Sequence, residues 1–377
     1  MPWNEVTIMS LKEEFVTLAT LPGANISELA RRFSISRKTA YKWLSRYQQQ
    51  GLPGLAERSR KPLSSPSKTA DDVELKLITL RQRYPAWGPR KLKRYLENKG
   101  ESVPAVATVA AILKRHHLIE PQASLQAQHW QRFEHPHPND LWQMNFKGWF
   151  YVSNQRCFPL TILDDHSRFS VCLRGCQGES HDDVKPVLID VFRHYGLPVA
   201  MTMDNGAPWG VSRAHYRFTR LSAWLIHLGI RVSHSRPHHP QTQGKDERFH
   251  RSLKAEVLNN RAFSEMRQCQ TAFDSWRRIY NCKRPHDALS LEVPISRYQI
   301  SQRAYPETLP AIEYDEGLVV RKVQMNGHIC LYGKRYLVSN AFWGYPVLVK
   351  ETADEYERDI YFTHQRIAKI DLRRPLD

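Results

Sequence analysis

The 377-residue chain has no apolar run near the roughly 20 residues that cross a bilayer; its longest, Val199–Met203 and Ser222–Ile230, stop far short. Its opening, Met1-Pro-Trp-Asn-Glu, lacks a basic stretch followed by an apolar one, so no secretory signal and no membrane partner are expected. Cysteine is sparse and scattered: positions 157, 172, 176, 269, 282 and 330 contain no Cys-x-x-Cys pair. That argues against a disulfide framework and against structural zinc, and it fits a reducing cytoplasm. His135 and His137 have no Cys or second His pair at finger spacing and read as linker residues. Acidic side chains are in deficit, 38 against 55 Lys and Arg, a formal charge of +17. An excess that large implies a polyanionic partner, because clustered cations gain from releasing phosphate counterions.

The length predicts two to four domains. Residues 1–60 read as a helix-turn-helix. A first helix over about Leu11–Leu21 ends at Pro22-Gly23. Ser27 is placed to cap a second carrying Leu29, Ala30 and Phe33, and Ser34-Ile35-Ser36 makes the turn. The third helix should bury Ala40, Trp43, Leu44 and Tyr47 while exposing Arg37, Lys38, Lys42 and Arg46, as a helix entering a major groove must. From Ser27 to Lys68 there are ten Lys or Arg against two Glu. Residues 61–70 continue a basic, Pro- and Ser-rich stretch. It is either a flexible linker or a minor-groove arm, with Arg58, Arg60 and Lys61 as its contacts.

Residues 71–120 repeat the logic in a second helix-turn-helix-like unit. Arg90, Lys91, Lys93 and Arg94 flank buried Leu92, Tyr95 and Leu96, and a third helix opened by Pro104 exposes Lys114 and Arg115. A polar linker, 121–139, follows. From 140 to 302 the pattern is α/β: strand-like runs Trp142–Val152, Cys157–Leu163 and Arg168–Leu173, a helix about Asp182–Tyr195, and a strand Val199–Met203. Then come a helix about Arg213–Leu228, a strand Ile230–His234, a long helix from about Gly244, and a last one over Phe263–Tyr280. That order is the ribonuclease-H-like one. Residues 303–377 hold five short strand-like runs, which predicts a small SH3-like β-barrel.

Within the α/β region, Asp204 sits where Val199–Met203 stops, followed by the turn Asn205-Gly206. Glu247 falls in the first turn of the helix after Gln241-Thr242-Gln243-Gly244-Lys245, with Arg251 and Lys254 at +4 and +7 on its face. Carboxylate beside cations suits a metal next to a DNA strand. Taken alone, Glu247 reads rather as a helix-dipole or salt-bridge carboxylate.

Asp204-Asn205-Gly206, the run from His239 to His250 (His-Pro-Gln-Thr-Gln-Gly-Lys-Asp-Glu-Arg-Phe-His), and Tyr280-Asn281-x-x-Arg284-Pro285-His286-x-x-Leu289 closely resemble the integrase core of bacterial insertion-sequence transposases. With the helix-turn-helix in front, nearly the whole chain looks like the insertion-sequence 481 family. The resemblance implies a D-D-E triad binding two Mg²⁺ or Mn²⁺ ions, which cleaves 3′ ends at transposon termini and transfers them into target DNA. It places the second Asp on Asp204 and the Glu on Glu247. The first falls on Asn145, in Trp142-Gln143-Met144-Asn145-Phe146-Lys147-Gly148, where the family has Asp.

Asn145 keeps the shape of Asp without its charge and second good oxygen, so it is a weakened metal ligand at best. Asp164 and Asp165 lie past the next strand and are poor substitutes. The chain is therefore expected to bind terminal inverted repeats and target duplex, with Lys245 joining Arg251 and Lys254 on the DNA side, and to cut poorly or not at all. The resemblance also implies a homodimer or higher oligomer on paired ends. The rival reading is a repressor or architectural protein on a non-catalytic core. A ribonuclease H or junction nuclease would not need two DNA readers.

Overall fold

The computed structural model describes residues 7–58, 68–119, 134–204, 206, 208–210, 218–234, 244–259 and 261–376. Two compact units divide the chain, 1–68 and 69–377.

In the first unit, α1 (Ile8–Ala19), α2 (Ile26–Arg32) and α3 (Arg37–Gln50) close over Phe15, Val16, Ala30, Ala40, Trp43 and Leu55. The cap of α2 is Asn25, whose side chain accepts from the backbone N–H groups of Ser27 and Glu28. The expected cap, Ser27, lies inside the helix; an Asx oxygen two residues upstream reaches the same free donors. Ser36 caps α3 by accepting from Thr39 N, and Gly51, at φ +64°, ends it.

The second unit opens with α4 (Asp71–Arg83), α5 (Pro89–Glu97) and α6 (Val106–Arg115) around Leu77, Trp87, Leu92, Val109 and Leu113. Tyr84 stacks on Trp87 at 4.1 Å, filling the turn before Pro89, the first residue of α5. α6 starts at Val106, two residues later than Pro104 led us to expect.

A mixed sheet follows, with β1 (Leu141–Phe146), β2 (Phe150–Val152), β3 (Gln155–Asp164) and β4 (Ser170–Cys176). α7 (His181–Tyr195) crosses to β5 (Ala200–Met203), and α8 (Arg220–His227) leads to β6 (Arg231–His234). The order is β2-β3-β1-β5-β6 with β4 on β3; β1, β5 and β6 run parallel. The single run expected over 142–152 is two strands, because Gly148 takes φ +85°, open chiefly to glycine, and turns the chain out of β1. α9 (Gly244–Leu253) continues as one π-type turn over Lys254–Leu258, and α10 (Met266–Cys282) packs on β4.

The C-terminal strands β7 (Val319–Lys322), β8 (His328–Leu331), β9 (Lys334–Leu337), β10 (Pro346–Glu351), β11 (Glu357–Phe362) and β12 (Gln365–Asp371) form a four-stranded antiparallel sheet, β12-β11-β10-β7, and a separate β8–β9 ribbon. Among the described residues both sheets are open. The expected closed barrel is not seen, since among the described residues the only strand-type bridge from the ribbon to the rest is Arg335–Leu376. β12 was missed because its polar and apolar residues give little contrast. These strands are not a separate body: Val323, Ile329, Phe342 and Phe362 share one apolar cluster with Trp142, Met201 and Ile230. Gln365 exchanges two 2.8 Å hydrogen bonds with the Val232 backbone, covering the edge of β6.

Candidate functional site

Parallel pairing sets Leu141, Trp142 and Gln143 beside Ala200, Met201 and Thr202. Continued two residues, that register brings Asn145 level with Asp204 at the C-terminal edge of the sheet, where α/β sheets bind their ligands. Both residues are half-buried. The Gly206 N–H donates to Asp204 Oδ1 at 3.0 Å, fixing the carboxylate in a tight turn.

α9 reaches the same edge through a relay. Thr161, the cross-strand partner of Asn145, donates its hydroxyl to the Asn145 carbonyl at 2.9 Å and lies 2.8 Å from His250 Nε2. The hydroxyl proton is used, so Nε2 is the donor and His250 carries its proton there. Burial, then Lys147, pushes the His250 pKa down to about 4, so the ring stays neutral at physiological pH. Glu247 stands three residues before His250, exposed on α9, and Arg251 and Lys254 are exposed beyond it. Asn145, Asp204 and Glu247 thus come from β1, the end of β5 and the start of α9, as the sequence places them.

Asp164 and Asp165 are used elsewhere. Asp164, fully buried, accepts from Asn139 N at 2.7 Å and Ser167 N at 2.8 Å. Asp165 accepts from Gln143 Nε2 at 2.7 Å and His135 N at 2.9 Å, and it pairs with Lys245. Trp142 is the register partner of Asp164, so both lie about 10 Å along the strand from Asn145. Burial opposes the Asp165 charge, but Lys245 and the donors around it hold its carboxyl below the usual range. Asp246 is buried too, with Oδ1 unpartnered among the described residues; burial, then Asp165, pushes its pKa up to about 8.

Sequence reading missed Glu179. It lies in the β4–α7 connection at the same edge, and burial and the Asp204 charge raise its carboxyl. Nothing in its local sequence marks it. Among the described residues no group of three His, Cys, Asp or Glu side chains is placed to hold a metal ion. With a neutral amide at 145, these residues do not complete a two-metal seat.

The predicted DNA cations divide. Arg37, Lys38 and Lys42 are exposed on α3; Arg46 and Lys42 also lie over the Trp43 ring, at 5.0 and 4.2 Å. Arg58 donates to Gln50 Oε1 at 2.9 Å, and Arg60 and Lys61 lie outside the described residues, as do Asn205 and the 235–243 stretch. Lys114 is exposed, whereas Arg115 pairs with Glu74 at 2.6 Å.

Lys91 and Arg94 correct the expectation for α5: Lys91 pairs with Asp287 at 3.2 Å and Arg94 with Glu292, while exposed Arg90 sits 4.0 Å from Asp287. Burial lowers the Lys91 pKa, and its side chain is only 12% exposed. These cations clamp α5 to the loop after α10, and Lys245 likewise serves the fold through Asp165. We expect Lys91→Ala to cost about 1–3 kcal/mol of stability in urea unfolding and to leave DNA affinity within about twofold. A larger affinity loss at unchanged stability would return Lys91 to the DNA side.

The Tyr280-to-Leu289 motif is also architectural. Asn281 exchanges hydrogen bonds with Ser170 N and O at 2.8 and 3.0 Å, tying α10 to β4. Arg284 donates to Glu256 at 3.0 Å, and the His286 N–H donates to the Glu292 carbonyl at 3.0 Å.

Comparison with known proteins agrees with this layout. Family models described as "Integrase core domain" match residues 135–240 and 228–294. A "Helix-turn-helix domain" matches 12–62, a "Homeodomain-like domain" 39–113, and "IS481 family transposase, C-terminal domain" 318–375. An uncharacterized protein of insertion element IS476 from Xanthomonas euvesicatoria is 25% identical over 79% of this chain and 84% of its own length. The transposase for insertion sequence element IS21 from Pseudomonas aeruginosa is 25% identical over 74% of this chain and 67% of its own. A chain of the simian T-cell lymphotropic virus intasome aligns over 80% of this chain and 98% of its own, at 14% identity and a TM-score of 0.39.

Proposed function

We propose that the chain functions in DNA transposition: its matches to helix-turn-helix, integrase-core and IS481-type C-terminal models support DNA binding and that role. No described helix is long and apolar enough to cross a membrane. We propose that it recognises transposon-end DNA and holds it against a polynucleotidyl-transferase edge formed by position 145, Asp204 and Glu247. With Asn145 in place, that edge binds DNA without cutting it effectively. What supports the reading is the register that continues to bring position 145 level with Asp204, together with the Thr161–His250 contact that ties α9, the helix carrying Glu247 and exposed Arg251 and Lys254, to β1. In the Asp form, two Mg²⁺ or Mn²⁺ ions would supply the Lewis acidity and nucleophile activation that phosphodiester chemistry needs. The residues present do not seat them, so no cutting step is assigned to this polypeptide. Two ends held together require at least a dimer.

The test is binding to DNA from the ends that bracket the coding frame, against scrambled duplex at moderate salt. The natural ends should bind at least tenfold more tightly. Arg37→Ala or Lys42→Ala should weaken binding severalfold and lower its salt dependence by about one counterion, whereas Glu28→Ala should not. Equal affinity for scrambled DNA would sink the end-recognition reading.

A further inference from the structure

Just past the catalytic strand the chain displays two aromatic rings that the fold does not use. Gly148 turns the backbone out of β1, and the hairpin β2–β3 points alternate side chains in opposite directions. Phe150 packs with Val152 on the cluster that holds Phe273, anchoring the hairpin. Trp149 and Tyr151 face outward, 49% and 60% exposed, edge to face with centroids 5.2 Å apart. Arg156 is the cross-strand partner of Tyr151, and its guanidinium lies 4.5 Å from the centre of the Trp149 ring. The result is a rigid two-ring platform with a fixed cation.

Its surroundings are cationic. Lys147 lies between Asn145 and Trp149, and Lys254 is near enough for the two ammonium charges to act on each other. A lone exposed aromatic needs no explanation, but two adjoining rings with a guanidinium, bordered by lysines, match what single-stranded nucleic acid selects. Trp149 follows Asn145 by four residue steps, at most about 14 Å of extended chain. At 3.4 Å of rise per nucleotide, that is about four nucleotides.

We propose that Trp149, Tyr151 and Arg156 form a stacking site for unpaired bases of the DNA strand within about four nucleotides of the phosphate held at position 145. A paired base has both faces covered by its neighbours. The site therefore takes a frayed end, a flank or a flipped base rather than intact duplex. This rests on the DNA-binding function proposed above and adds to it the state of the strand beside the reacting phosphate.

The experiment uses the full chain with Asn145, so that no cleavage is involved, and fluorescence anisotropy on three probes. One is a blunt duplex, one carries a short oligothymidine flank, and one carries the same flank with abasic sugars. The flank with bases should bind about tenfold more tightly than the abasic flank, because only stacking distinguishes them. The double variant Trp149→Ala with Tyr151→Ala should lose that preference yet bind the blunt duplex as before, and Trp149→Phe should keep most of it. Both side chains are exposed, so the variants should fold; circular dichroism checks this. Equal affinity for the two flanks, or a preference surviving in the double variant, overturns the site. If the double variant instead changes the sedimentation of the free protein with the preference intact, the rings join copies of the chain and the proposal is wrong. Failure to bind any duplex counts against the broader function as well.

Discussion

Asn145→Asp should raise metal-dependent end cleavage and strand transfer by on the order of a thousandfold, from a background near zero. The backbone at 145 is already held: its carbonyl accepts from Thr161, and Thr161 is engaged by His250. Asp and Asn have nearly the same shape, so the substitution changes charge and donor character without moving the strand. In the proposed triad, the added negative charge would make three carboxylates of two. In a half-buried site, attraction for divalent cations exceeds its value in water. The assay is donor-end cleavage with Mg²⁺ or Mn²⁺, followed by joining of a pre-cut 3′ end. Activity gained by the Asp form should vanish on Asp204→Ala or Glu247→Gln. End affinity without metal should change little. Equal cutting by the Asn and Asp forms would refute the assignment of position 145 and direct attention to Glu179.

Lys245→Ala should cost about 3 kcal/mol of folding stability. Asp165 is 1% exposed and Lys245 is its paired cation, so removing the ammonium leaves a buried carboxylate with Gln143, the His135 N–H and ring, and the more distant Arg168 charge as its support. Neutralising both groups, Lys245→Met with Asp165→Asn, should recover most of the loss, because the desolvated charge goes with its partner. Urea unfolding of the three variants measures this. A DNA contact at Lys245 would act differently: affinity would fall with salt slope while stability stayed constant, and the double variant would rescue nothing.

That contrast shows where sequence reading succeeds. The three helices of the first unit, the alternation of strands and helices in the core, and the positions of Asp204 and Glu247 are written locally, in periodicity, turn residues and short motifs. Asn25 displaced Ser27 as a cap because either could serve the same donors. What could not be read was pairing over distance. Lys91 meets Asp287, Arg94 meets Glu292 and Lys245 meets Asp165 across 80 to 198 residues, and an exposed cation and a clamped one look alike in sequence. Glu179 joins the edge only because β4 ends where β1 and β5 end. The closed barrel failed for the same reason, since closure depends on long-range partners that short strand runs do not specify.

The apolar cluster shared by the C-terminal strands and the mixed core sheet limits how this protein can be recombined. Val323, Ile329, Phe342 and Phe362 pack in the same interior as Trp142 and Met201. Cutting the chain before β7 would open that interior to water. A hybrid given the last 60 or so residues of a distant relative would inherit mismatched packing. The first 68 residues form a compact unit with their own core. Grafting for a new target address should therefore exchange the front of the chain and carry everything from Thr69 onward as one inherited piece.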